Sequence, residues 1–308
     1  MPVRGSFETR RHGNRASFCQ RCCTVQIHPL AVVDPTASIG RGVVIGPFSI
    51  VERDATIGDG CVLESHVVIK QGAKLGPQNH VFEGAIIGGL PQHLRMPERV
   101  GGVVVGASNT IREHATIHRA LDAERSTIVG DHNLLMVGVH IAHDCKVGDH
   151  TIFANNAMLA GHVCVEDRAY VSGNVAVHQF CRIGGMAMVG GLARVVKDVP
   201  PYVTIDGGSG YVVGLNTIGL RRNGFSPDTI GQLKAAYRLI YRSGLKWQEI
   251  LERLQSEFAV GPAAHFAEFF AGSTRGIVAE RREPPPAVPT LRLHDDVHAE
   301  PGLRVKAG

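Results

Sequence analysis

Large rings are scarce in this 308-residue chain: one Trp, five Tyr and eleven Phe make up 6%. A core organised around aromatics is therefore not expected, and interior volume must come from small and branched aliphatic side chains. Charge is also limited and nearly balanced, at a formal +4, which is too little to argue for a nucleic-acid partner. No run of eighteen apolar residues occurs, so no membrane span is expected. Seven cysteines form an odd set without framework spacing. That excludes a disulfide scaffold and fits a reducing, cytoplasmic setting. Cys19, Cys22 and Cys23 are close together, but no second pair follows to complete a zinc site. Residues 1–26 are Arg-rich without an apolar stretch. They do not read as a secretory signal, and a basic disordered extension or an early start codon accounts for them more simply than an organelle transit peptide.

Glycine is in excess, at 37 residues, and a period of six runs through the chain. Stepping by six from Ile27 to Val195 meets a large apolar residue at 26 of 29 positions, with His93, Arg99 and Ala123 as the exceptions. A hexapeptide period is that of a parallel β-helix. Three hexapeptides make one coil, so eighteen residues return to the same wall, with coils about 4.8 Å apart. Glycine often follows the periodic residue, as at Gly40, Gly46, Gly58, Gly76, Gly88, Gly106, Gly130, Gly148, Gly184 and Gly190. Corners that need an unrestricted backbone would explain it. Two residues before the periodic position stand small or β-branched side chains, among them Ala55, Cys61, Thr127, Cys145, Ala157 and Cys181. These are expected to point inward, which makes the three cysteines core residues.

The period places a β-helix at 27–200, with polar loops extruded at 88–104 and 120–128. A glycine-rich link, GGSGYVVG, opens a helical region at 201–281. In it Ser226 caps a helix with Pro227 in its first turn and Ile230, Leu233, Tyr237, Ile240 and Tyr241 on one face. WQEILERLQSEF and AAHFAEFFAGSTRG read as two more helices, and 282–308 as a disordered tail.

The stretch VHIAHDC, residues 139–145, concentrates reactive side chains. Ile141, Leu159 and Val177 are eighteen apart and stack on one wall, so His143, His162 and His178 gather near one corner, with His140 and His118 beside them. Clustering of five histidines on the outer surface points to a site. Three histidines can bind zinc, as in γ-class carbonic anhydrases on this fold. The unequal offsets, and Asp144 directly after His143, instead favour a histidine oriented by a carboxylate for general base work. Cys145 lies at an inward position, where a nucleophilic thiolate is not expected.

The stretches NTIREHATIHR, DHNLLMVGVHIAHDCKVG, ANNAMLAGHV, AVHQFCRIG, DVPPYV and YRLIYRSG make residues 27–277 resemble the UDP-N-acetylglucosamine O-acyltransferase family of lipid A biosynthesis. The resemblance implies an all-β left-handed parallel β-helix followed by a small α-helical C-terminal domain, assembled as a homotrimer with active sites between subunits. It implies transfer of an (R)-3-hydroxyacyl group from acyl carrier protein to the 3-hydroxyl of UDP-GlcNAc, with no cofactor beyond the carrier's phosphopantetheine and no metal. By the same resemblance His143 is the general base, Asp144 its orienting carboxylate and Gly161 the backbone donor facing the oxyanion. Gln92, His118, His140, His162, His178 and Gln179 line the substrate pocket, Asn216 and Arg222 lie near the uridine diphosphate, and Gly191 limits acyl length. The chain departs from the family at His93 (usually Asp), Arg95 (Lys), Ile218 (Glu) and Asn223 (Arg). His93 and Arg95 remain substrate-site candidates, and the departures leave a 3-amino nucleotide sugar open as acceptor. A basic bias at Arg221, Arg222, Lys234, Arg238, Arg242 and Lys246 suits an acidic carrier protein.

Overall fold

The computed structural model describes residues 24–281. From Gln26 the chain winds through strands mostly two residues long that stack as three parallel walls, in sheets of eleven, nine and eight strands. Ile141, Leu159 and Val177 are register partners on the nine-stranded wall. From Ile45 to Val195 every large apolar residue of the six-residue period is at most 3% exposed. Each such burial contributes roughly 1.5–3 kcal/mol, which explains why so regular an interior can dispense with large rings. Ile27, in the terminal coil, is 45% exposed. Cys61, Cys145 and Cys181 are fully buried, and burial pushes the Cys145 thiol up to about 12.

Glycine plays a different part from the one its position suggests. The residue with positive φ falls three places after the periodic residue and is often not glycine: Phe48, Asp144, Asn156, His162 and Phe180 all adopt φ between 58° and 65°. Apart from Gly88, which is at φ 91°, the glycines directly after the periodic residue serve close approach between coils. A Cβ on Gly58 would lie 2.5 Å from the Gly76 carbonyl carbon, and one on Gly46 2.8 Å from that of Glu64.

Both excursions are shorter than the sequence indicates. Strands Ile86–Gly89, Gly102–Val105 and Ser126–Val129 take up their ends, leaving 90–101 and 119–125 outside the walls. Leu75 pairs with Val105, 30 residues on, and Val105 with Val129, 24 on. Against a coil of eighteen the insertions are 12 and 6 residues, both multiples of six, so the period survives them in phase. The solenoid also overruns its expected ends. Gln26 already pairs with Val44, while Val203–Ile205 extends the eleven-stranded wall and Val212–Leu215, within the expected link, closes it antiparallel. The remainder of the basic extension, with Cys19, Cys22 and Cys23, and the tail from 282 lie outside the described residues.

Four helices follow: α1 (Thr217–Arg222), α2 (Pro227–Arg242), α3 (Trp247–Glu257) and α4 (Ala264–Ala271). Ser226 caps α2 as its sequence requires. The short α1 was not expected, and α4 ends before Ser273. None of the described helices is long and apolar enough to cross a membrane. Leu220, Leu233, Leu254, Phe266 and Phe269 form a second core against Met186 and Tyr202 of the solenoid. His265 and Glu166 join the two parts, 3.0 Å apart. The segment after α4 returns to the solenoid through bridges from Ile277 to Asp198 and from Glu280 to Val212.

Two outcomes are expected. Gly58→Ala should destabilise more than Gly72→Ala in urea unfolding. The first forces a methyl into backbone, whereas the second meets open space and costs only the ~1–2 kcal/mol of a left-handed residue. The hydrogen bond from His265 to Glu166 holds the imidazole above its usual range despite burial. Its contribution to stability is therefore full below the ordinary value of about 6.5 and is lost as pH rises through the raised one. Glu166→Gln should flatten that alkaline decline in stability.

Candidate active site

The corner after the nine-stranded wall carries a column at eighteen-residue spacing: Asp144, His162 and Phe180, all at left-handed φ. The stacking brings His162 Nε2 within 3.8 Å of Asp144 Oδ2 and lays the Phe180 ring on His162 at 4.6 Å between centroids. His143 precedes the column by one residue and meets Asp144 Oδ2 through Nδ1 at 2.7 Å. Burial alone would raise the Asp144 carboxyl, but the Leu121 N–H, the His143 hydrogen bond and the nearby imidazoles hold it below its usual range. The carboxylate can only accept, so His143 Nδ1 carries a proton, and in the neutral ring Nε2 presents a lone pair.

Gly161 explains where that lone pair faces. A Cβ there would lie 2.5 Å from His143 Cε1 and 2.6 Å from Nε2. Only glycine leaves room for this edge of the ring. The Gly161 carbonyl accepts from Phe180 N, whereas its N–H has no acceptor among the described residues.

His118 and His140 form an edge-to-face pair at 4.8 Å, and Thr116 Oγ1 meets His140 Nδ1 at 2.7 Å. Burial lowers His140, and burial with the neighbouring His140 and His143 lowers His118 to about 4. Burial also lowers His162, against the opposing pull of Asp144. His118 and His143 are buried rather than on the outer surface as expected. Two buried atoms of the cluster, His118 Nδ1 and Asp144 Oδ1, have no hydrogen-bond partner among the described residues, which leaves them available to a ligand.

The unequal offsets of the histidines do not keep them apart. Among the described residues His143, Asp144 and His162 present possible ligand atoms all within 4.8 Å of one another. The short bond between His143 and Asp144 already satisfies the nearest of these pairs.

His93 stands edge-on to His143 at 5.8 Å between centroids, with its Nδ1 engaged by the Arg95 backbone. Gln92 and Arg95 are exposed on the same loop. His178 and Gln179 lie on the next coil. Asn216 and Arg222 are elsewhere, in a cavity of about 720 Å³ over the eleven-stranded wall. Asn216 is engaged there as the cap of α1, accepting from Gly219 N and donating to Met186 O. Gly191 is exposed at the corner between the eleven- and nine-stranded walls.

Three supporting contacts escaped the sequence reading. Leu121 N donates to Asp144 Oδ2 at 3.0 Å from the shorter excursion. Thr127, expected as inward filler, accepts from Asp144 N through Oγ1 at 2.9 Å. Arg275 Nη2 lies 3.2 Å from His178 Nδ1, 97 residues away in sequence. Only the inward position of Thr127 carried any local signal.

A family model described as UDP-N-acetylglucosamine O-acyltransferase, domain 2, matches residues 198–278, and one for bacterial transferase hexapeptides matches 36–71 and 126–161. An acyl-[acyl-carrier-protein]–UDP-N-acetylglucosamine O-acyltransferase from Burkholderia lata is 49% identical over 82% of this chain and 99% of its own length. One from Halorhodospira halophila is 45% identical over 82% of this chain and 99% of its own. The solved UDP-N-acetylglucosamine acyltransferase of Francisella novicida superposes with a TM-score of 0.80 at 39% identity, covering 83% of this chain and 95% of its own. With this fold, coverage and identity, the chain belongs to the UDP-N-acetylglucosamine O-acyltransferase family of hexapeptide-repeat acyltransferases.

Proposed function

We propose that the chain transfers an (R)-3-hydroxyacyl group from acyl carrier protein to the 3-hydroxyl of UDP-GlcNAc, the opening step of lipid A synthesis, with His143 as general base. The observation that carries this reading is the His143–Asp144 pair, closed at Nδ1 and open at Nε2 beside Gly161. Nε2 takes the proton of the sugar hydroxyl as its oxygen attacks the thioester carbonyl. Asp144 offsets the charge that develops on the ring. Charge collecting on the carbonyl oxygen is met by the Gly161 N–H. Collapse breaks the carbon–sulfur bond, and the pantetheine thiolate takes the proton back from His143. No enzyme nucleophile is needed, in keeping with a Cys145 thiol held at about 12, and the reaction requires no cofactor.

Gln92, His93, Arg95, His118, His140, His162, His178 and Gln179 surround the sugar and pantetheine in this reading, and Asn216 and Arg222 serve the nucleotide. The second group lies over another wall of the same chain. That separation favours a homotrimer in which neighbouring subunits supply the two ends of one site. The exposed basic residues of α2 suit an acidic carrier protein, although Arg242 is already paired with Glu280 at 2.7 Å. A cytoplasmic location fits both substrates.

Purified protein given UDP-GlcNAc and (R)-3-hydroxyacyl carrier proteins should yield O-acyl UDP-GlcNAc by mass spectrometry. His143→Ala should lower kcat by roughly 10²–10⁴; near-normal turnover would remove it as the base. Gly191→Met should move preference toward shorter acyl chains. A Cβ at Gly191 meets nothing nearer than 3.4 Å, so the protein should tolerate the change, and an unaltered chain-length profile would end the ruler role.

A further inference from the structure

The cavity over the eleven-stranded wall is lined by Arg168, Arg222 and His150 and by no aspartate or glutamate. Among the described residues neither guanidinium has a carboxylate partner. The acids nearest in sequence to Arg168 are committed elsewhere. Glu166 binds His265, Arg182 and Gly185 N, and Asp167 Oδ1 accepts from Asp149 N. Two permanent cations sharing one acid-free cavity repel each other unless an anion joins them, and planar guanidinium groups match phosphate oxygens.

Arg168 comes from the solenoid, at a left-handed corner with φ 58°. Arg222 ends α1, which is fixed by the Asn216 cap and by fully buried Leu220. Asn223 joins the two parts: its Nδ2 donates to Gly219 O at 2.9 Å, and its Oδ1 accepts from Arg168 Nη1 at 3.0 Å. One N–H of Arg168 is thereby held and the rest of its fork stays available. Asn223 is also where the family resemblance leads one to expect a second arginine, so the solenoid returns the charge that α1 lacks.

We propose that Arg168, held by Asn223, is the second phosphate-binding cation of the nucleotide cavity and contacts the diphosphate of the sugar nucleotide together with Arg222. The proposal rests on the reading of this cavity as the nucleotide end of the site.

Steady-state kinetics and binding of UDP alone test it. Arg168→Ala should raise KM for UDP-GlcNAc and weaken UDP binding by roughly 10- to 100-fold, the loss of a charge-assisted hydrogen bond. KM for the acyl carrier protein and the melting temperature should hold. Arg168→Ala with Asn223→Arg should regain most of the lost affinity, because the guanidinium is then supplied from the end of α1. Unchanged UDP binding in Arg168→Ala overturns the proposal, as does a loss that Asn223→Arg fails to recover. Arg222→Ala separates the two levels. If it weakens UDP binding while Arg168→Ala does not, the nucleotide reading stands and the proposal falls. If neither does, the nucleotide reading of the cavity falls as well.

Discussion

Successive coils stand one backbone hydrogen-bond spacing apart, and everything else in the molecule follows from that approach. It is enforced where there is no side chain: at Gly46 and Gly58 an added methyl would enter the backbone of the next coil. Where coils approach so closely, register is fixed to the residue. A slip of one would turn the aliphatic column outward. Polar groups are drawn into the same discipline. Asn79, Asn109 and Asn133 form a buried ladder in which each side-chain oxygen accepts the N–H of a residue on the next coil.

The histidine corner is a product of this stacking. Asp144, His162 and Phe180 adjoin because they are eighteen residues apart, and His143 gains its carboxylate because its neighbour occupies the left-handed place. The excursions can bring outside residues to the corner without disturbing it, since their lengths of 12 and 6 residues preserve phase. Leu121 and His93 arrive by that route, one as a backbone donor to Asp144 and one as a ring against His143.

The walls were legible in sequence because one rule, an apolar residue every sixth place, acts at almost every turn. Helix α2 was legible because Ser226, Pro227 and an apolar face are local signals. The role of glycine was misread, since sequence does not distinguish a residue that needs positive φ from one that must lack a Cβ. His143 and Asp144 stood out through adjacency, whereas Thr127 looked like wall filler because its second task, a bond to Asp144 N, depends on a partner seventeen residues away. The link between Arg168 and Asn223 crosses 55 residues and two domains. No period or motif connects them, so only the docking of α1 on the solenoid reveals it.

The same environment decides which of several reactive side chains can act. Burial lowers His118, His140 and His162 and raises Cys145, so the interior disfavours charge on most of them. Asp144 is the exception: against burial it is held below its usual range by donors from Leu121 and His143 and by the nearby imidazoles. Its Oδ2 bonds His143 Nδ1 at 2.7 Å but stands 3.8 Å from His162 Nε2, so His143 is the ring that the carboxylate fixes in orientation. Placing one carboxylate among several imidazoles thus selects by distance the ring it orients, while the missing side chain of Gly161 leaves room for that ring's Nε2 edge.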